Sequence, residues 1–473
     1  MIKHHLLIII IVAVATFLRV WQINSTAIFF GDAAHDLLSA AEAVTTKQVP
    51  LLGIASSVPR FKQGPVTVWL EMLIFAVVGY NLLFYSVIFA FISVAAVIGV
   101  YELGVNYLSK RTALLAALLV AVSPLAVAHG RVVYHITPIP LMMTLFLWVS
   151  MRFWQKPQRG VFWLVLAWCG LFQFELALTP LILVIPYLIW RTKTKITRLV
   201  VGQGLLALVI GLLPQILFDL THDFQQLGGF ATWVAYRIAS AGGVVGSHAL
   251  ANADWLFTAQ QFALYFGRVM SFDNRLVTSV GTAALVLFLL VMGKQWHSKT
   301  LPPLMEVVGL SFITLVIAFV IHQTPSEAYF PPFIILIPML LAWGVNQIKW
   351  PLLKTNVLLL IGIVVVFNVM TIARSWFINP DYAFYYSYGV GEQRQIVTLI
   401  NERSSDGFTF ATTQPGGSFA SYFDNLRWLA QEQGVSETEN QQTYSIEPKD
   451  SPLQFYPSIV KYSFPTVDVY SEF

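Results

Sequence analysis

Eleven apolar runs, each long enough to cross about 30 Å of hydrocarbon, divide this chain and leave few other ways for it to fold. They lie near His5 to Ile23, Leu82 to Tyr107, Thr112 to His129, Ile136 to Trp154, Val161 to Glu175 and Leu176 to Trp190. Five more follow near Leu199 to Phe218, Leu276 to Gly293, Leu304 to His322, Phe330 to Gln347 and Asn356 to Arg374. Charged residues make up 11% of the 473 residues, well below the roughly 25% of soluble domains, so the runs imply a polytopic membrane bundle. The net charge of +4 is scattered through loops and gives no sign of nucleic-acid binding. A single cysteine, Cys169, can form no internal disulfide. The first apolar run continues through Trp21 without a small-residue cleavage site, and reads as a retained helix.

A twelfth apolar segment, Gly64 to Val78, is shorter and carries Glu71 near its middle. If it does not cross, Lys3, Lys110 with Arg111, Lys156 with Arg159, the RTKTKITR cluster from Arg191, Lys294 with Lys299, and Lys349 with Lys354 all fall on one side. Basic loops mark the cytoplasmic side, so the segment is expected to lie in the outer interface. The N-terminus is then cytoplasmic. The first loop (24–81), the link around Arg131 to His135, the loop from Asp219 to about Asp273 and everything after Arg374 are outside. Residues 1–375 form the expected transmembrane domain and 376–473 a small α+β domain on the outer face, reading as helix, strand, turn, helix, with a less ordered stretch from about Ser436. No metal-ligand, P-loop or dinucleotide spacing is present.

The first loop opens with IFFGDAAHDLLSAAEAV, placing Asp32, His35 and Asp36 just past the first helix. Asp32 stands where an N-cap would, before an amphipathic helix-forming stretch, Leu37 to Val44, so capping is one reading. A catalytic carboxylate is the other.

Three stretches in order, FFGDAAHDLLSAAEAV, VPLLGIASSVPRFKQGPVTVWL and VIGVYELGVNYLSKRTALLAALLVAVSPLAVAHGRVVYHITP, with SEAYFPPFIILIPMLLAWGV later, resemble the GT-C superfamily of integral membrane glycosyltransferases. The resemblance is to the bacterial branch of dolichyl-phosphate-mannose-protein-mannosyltransferase-like and aminoarabinose-transferase-like enzymes. It covers Phe29 to Trp154 well and Glu327 to Val345 loosely. It implies a GT-C helical bundle in a bacterial cytoplasmic membrane, moving a sugar from a polyprenyl-phosphate carrier to a hydroxyl of a lipid, polymer or protein at the outer face. Asp32 matches the catalytic position. The family's usual second acid is Ala33 here, and a commonly basic or aromatic position is His35. Either Asp36, one turn on, substitutes, or one carboxylate suffices.

The chemistry requires a base for the acceptor proton and cations for the charge that develops on the lipid phosphate. Arg131, Arg60 and Lys62 are the candidates for the phosphate; Arg60 and Lys62 are equally readable as head-group anchors. His35, His135, Glu327 and Tyr329 are further candidates for touching substrate. Glu175, where the fifth and sixth runs meet, must face water or a protein cavity and has no assigned role. A lipid-linked sugar donor is the only small molecule implied; dependence on a divalent metal is open. A transporter or flippase would share the runs but calls for charged groups near the bilayer midplane, where these runs carry almost none. A non-catalytic scaffold or sensor is the third reading.

Overall fold

The computed structural model describes residues 2–56, 61–241, 255–271, 275–322, 326–378, 390–404, 408–411, 422–435, 437, 442–448, 459–463 and 467–472. Helices form at all eleven apolar runs, giving a multi-pass membrane bundle. Among the described residues, four helices are long and apolar enough to cross a bilayer unaided, and a fifth span results if one bent pair is counted as a unit. Part of the difference from eleven unbroken rods lies in helices shorter than 18 residues, Phe333–Gln347 among them, and part in breaks that hydropathy does not register. Ser123 caps a new turn by accepting from Ala126 N, with Pro124 in its first position, and splits the third run into Lys110–Val122 and Pro124–His129. Glu175 breaks the chain between Pro157–Phe174 and a 3-10 stretch, Leu176–Leu183. The seventh run bends by 68° between Arg198–Gly211 and Leu213–Thr221, beside Pro214.

Phe333–Gln347 is the central helix. Every residue from Phe333 to Val345 is buried, as expected of a helix apolar on all sides with protein on all sides. Pro351–Ile372 is the opposite case. Of its 22 residues only Asn368 and Ile372 are buried, so its apolar surface is left for lipid. Close approach in the core is allowed by small residues: a Cβ on Gly104 would stand 2.6 Å from Cα of Ala113, and any side chain there would part Leu82–Tyr107 from Lys110–Val122.

Polar contacts collect loop ends at the two ends of the bundle. At one end, Arg191 pairs with Glu306 (2.6 Å) and Gln295 with Gln347 (3.1 Å). At the other, Ile28 N donates to Arg131 O (3.0 Å) and Gly64 N to Gln173 O (3.0 Å). Arg394 bonds the side chain of Asn24 (2.6 Å) and the carboxylate of Glu432 (3.1 Å), which accepts from Leu82 N (3.2 Å). The first loop therefore starts and finishes at one end, and its apolar helix, Val66–Val78, does not cross. Its 13 residues span about 20 Å at 1.5 Å per residue.

The C-terminal unit has helices Val390–Arg403 and Tyr422–Glu432 and four strands: β1 Phe408–Ala411, β2 Gln442–Pro448, β3 Ile459–Ser463 and β4 Val467–Glu472. The sheet order is β1-β2-β4-β3, with β1 parallel to β2 and the other pairs antiparallel. Three of these strands lie beyond Ser436, where the sequence reading expected less order. The alternation of buried Tyr444 and Ile446 in β2, opposite buried Val469 of β4, is the half-buried strand signal that its polar neighbours masked. Trp428 anchors the unit, fully buried against Tyr80 (ring centroids 4.8 Å) and Tyr85 (5.6 Å).

Candidate active site

The loop helix runs Gly31–Thr46. Phe30, extended at φ −134° and ψ 167°, is its N-cap and offers no side-chain bond. Asp32 is thus inside the first turn, not at the cap, and the capping reading does not describe it. Its charge lies near the positive end of the helix dipole, worth about 0.3–1 kcal/mol at such sites. It is exposed, while Asp36, one turn on, is 2% exposed. Two contacts fix the helix's approach. The bridge between Ile28 and Val132 brings the link after His129 alongside, and Tyr134 Oη donates to Asp32 Oδ2 (3.3 Å). Tyr134 is held edge-on by Phe30 (4.8 Å) and His135 (4.0 Å).

Behind Asp32 the site is acidic. Burial, and secondarily Asp32, raise the Asp36 carboxyl to about 6, against the pull of His135 and His35. Glu71 faces it from Val66–Val78, fully buried, and neither of its carboxylate oxygens has a hydrogen-bond partner. A carboxyl so placed is stable in its protonated form. His35, on the exposed face, stands 3.5 Å from Asp424 Oδ2 of the C-terminal unit, and the hydrogen bond to Asp424 raises its pKa.

The candidate cations are placed very differently. Arg131 is wholly buried. Its guanidinium donates to the carbonyls of Leu18 (2.9 Å) and Trp21 (3.0 Å) and to Thr26 Oγ1, clipping the exit of the first helix to the link. Burial, then Arg19, lowers its pKa to about 9. Lys62 is exposed on a two-stranded ribbon in which Ala55 bridges Lys62. Arg60 lies outside the described residues. Glu327 accepts from Arg268 (2.5 Å) and contacts His129 (3.1 Å); Tyr329 is half-buried beside it. This second cluster meets the first through the 129–135 link and makes no direct contact with Asp32 in the hydrogen bonds described. His135 is buried and 3.6 Å from Glu175.

Several site residues were not singled out from the sequence. Tyr134 sits inside the quoted HGRVVYH motif but carries no signal of its own. Gln393 and Asn425 both donate to the carbonyl of Phe29 (2.9 and 3.2 Å), a contact across more than 360 residues that no local pattern announces. Among the described residues, no group of three or more His, Cys, Asp or Glu side chains is placed to hold a metal.

The sequence model of the dolichyl-phosphate-mannose-protein mannosyltransferases matches residues 62–218. An uncharacterized protein of Aquifex aeolicus is 27% identical over 172 residues, 35% of this chain and 33% of that protein; the match spans about a third of that relative's length. In fold, the chain is similar to ArnT from Cupriavidus metallidurans bound to undecaprenyl phosphate, with TM-score 0.61 over 98% of this chain and 97% of that one at 12% identity. It is also similar to the oligosaccharyltransferase of Archaeoglobus fulgidus in the apo form, with TM-score 0.53 over 94% of this chain and 69% of that one at 12% identity. The same enzyme in complex with Zn and sulfate gives TM-score 0.54 at 14% identity, covering 59% of that chain. The chain has the GT-C fold.

Proposed function

We propose that this protein is a membrane glycosyltransferase that moves a sugar from a polyprenyl-phosphate donor to a hydroxyl acceptor at the outer face of the cytoplasmic membrane, with Asp32 as the base. The observation that carries this reading is an exposed carboxylate in the first turn of the loop helix, oriented by Tyr134, within a fold shared with an undecaprenyl-phosphate-bound ArnT. Tyr134 occupies one oxygen of Asp32 and aims the carboxylate. The other oxygen takes the acceptor proton as the hydroxyl attacks the anomeric carbon. The bond from that carbon to the phosphate oxygen breaks, and the lipid phosphate leaves with its electron pair. Lys62, exposed and on the same end of the bundle, binds the donor phosphate in the ground state as well as while it leaves, with Arg60 as a second candidate. Arg131 serves this chemistry by clipping the link that carries Tyr134. Asp36, buried one turn behind Asp32, lines the acidic floor of the same site.

The test is release of polyprenyl phosphate from a panel of polyprenyl-phosphate sugars by protein in lipid vesicles, with hydroxyl acceptors supplied. Asp32→Asn is expected to lower release by about 100-fold or more, the usual contribution of a general base, with normal insertion. Asp36→Asn lowers it by less. Turnover near the wild-type rate in Asp32→Asn overturns the assignment.

A further inference from the structure

We infer that Glu175 is a positioning residue that joins the cation side of this site to its acid side, an inference that rests on the transferase reading above. Glu175 sits at the break between Pro157–Phe174 and Leu176–Leu183, 4% exposed. An N-cap needs one acceptor oxygen, and Glu175 Oε1 supplies it to Ala177 N (3.1 Å). The carboxylate does more than that. Oε1 also accepts from Gln63 Nε2 (3.2 Å), and Oε2 stands 3.6 Å from His135 Nε2.

Gln63 is seated on both of its polar atoms, because its Oε1 accepts from Leu176 N (3.0 Å). The next residue is fitted as closely: Gly64 N bonds Gln173 O (3.0 Å), and a Cβ there would collide with the Gln173 side chain. Side chains alternate along an extended strand, so seating Phe61 and Gln63 inward, 7% and 4% exposed, presents Lys62 outward. A second chain of bonds fixes Lys62 from behind. Its backbone N donates to Gln226 Oε1 (2.9 Å), and Gln226 N and Leu227 N donate to Asp219 (2.7 and 3.0 Å).

On the other side, His135 packs on Tyr134, which holds Asp32. One buried carboxylate therefore stands in an unbroken path from Asp32 through Tyr134 and His135 to Gln63 and Lys62. A buried carboxyl bonded to two other segments is more than a helix break requires. The separation between base and phosphate cation is what the path sets.

The test compares Glu175→Ala and Glu175→Gln in vesicles. Glu175→Ala is expected to raise the KM for the lipid donor about tenfold, the scale of one lost charge-assisted hydrogen bond, with kcat within about threefold. Glu175→Gln keeps an acceptor for Gln63 and Ala177 and restores KM to within about threefold. If Glu175→Ala does not fold, Gln63→Ala breaks the same bond from the other end and raises KM likewise. Amide exchange of residues 61–64 in the intact protein reads the tie without turnover. It rises in Glu175→Ala and Gln63→Ala and stays low in Glu175→Gln. A silent wild type therefore counts against the transferase reading, while exchange still decides this one. Unchanged exchange in Glu175→Ala and Gln63→Ala, or an unchanged KM in active enzyme, overturns it.

Discussion

At the scale of single residues, the two aspartates of the loop helix illustrate how one turn of helix divides a role. Asp32 faces out and Asp36 is buried, and burial raises the Asp36 carboxyl from 3.8 to about 6. The folded chain binds that proton more tightly than the unfolded chain does. Its contribution to stability is complete below about pH 4 and is lost as the pH rises through about 6. The shift of about two units sets a ceiling of roughly 3 kcal/mol on the loss. Asp36→Asn is therefore expected to flatten the fall in melting temperature between pH 4 and 7 and to melt above wild type at pH 8, checked by thermal scans in detergent at each pH. An equal difference in melting temperature at pH 4 and pH 8 would refute it. The place of Asp32 just past the first helix was legible in the motif. The buried state of Arg131 was not: nothing in HGRVVYH says that its donors end on the carbonyls of Leu18 and Trp21.

At the scale of elements, the loop helix is held from both ends of the chain. Tyr134 holds it from the link, and the C-terminal helices hold it from outside through the Phe29 carbonyl and the His35–Asp424 contact. A buried carbonyl that loses its donors costs about 1–3 kcal/mol. The double variant Gln393→Ala, Asn425→Ala is expected to lower kcat about tenfold with normal insertion, by shifting Asp32 away from Tyr134. A double variant with wild-type kcat in the release assay would show that the clamp does not aim the base. Apolar run and helix coincide throughout because hydropathy reports burial from water. The breaks at Ser123, Glu175 and Leu212 escaped that signal because each keeps the stretch apolar on average while redirecting the backbone. Glu175 was visible as an oddity, but its partners lie 40 residues away at His135 and 112 away at Gln63, beyond the reach of any local pattern.

For the whole molecule, the likeness of fold and the likeness of sequence cover different parts of the chain. The likeness to ArnT runs over nearly all of it, whereas the mannosyltransferase match begins at residue 62 and excludes the Asp32 motif. The proposed outward placement of the first loop and the C-terminal unit is argued from the basic loops, Arg191 to Arg198 above all. In a Cys169→Ser background, Gln48→Cys and Lys195→Cys, both at exposed positions, are expected to react with an impermeant maleimide from opposite sides of sealed vesicles. Labelling from one side would overturn the orientation.

The bond from Asn425 to the carbonyl of Phe29 also bears on how the protein is made. Synthesis delivers Asp32 early and Asn425 almost 400 residues later, so the bundle is inserted long before the loop helix acquires its outer support. Until then the carbonyl of Phe29, at the start of the loop helix, lacks the donors that Gln393 and Asn425 supply. On the transferase reading, a molecule whose distal end has not yet folded is expected to turn over about tenfold more slowly, as the double variant does.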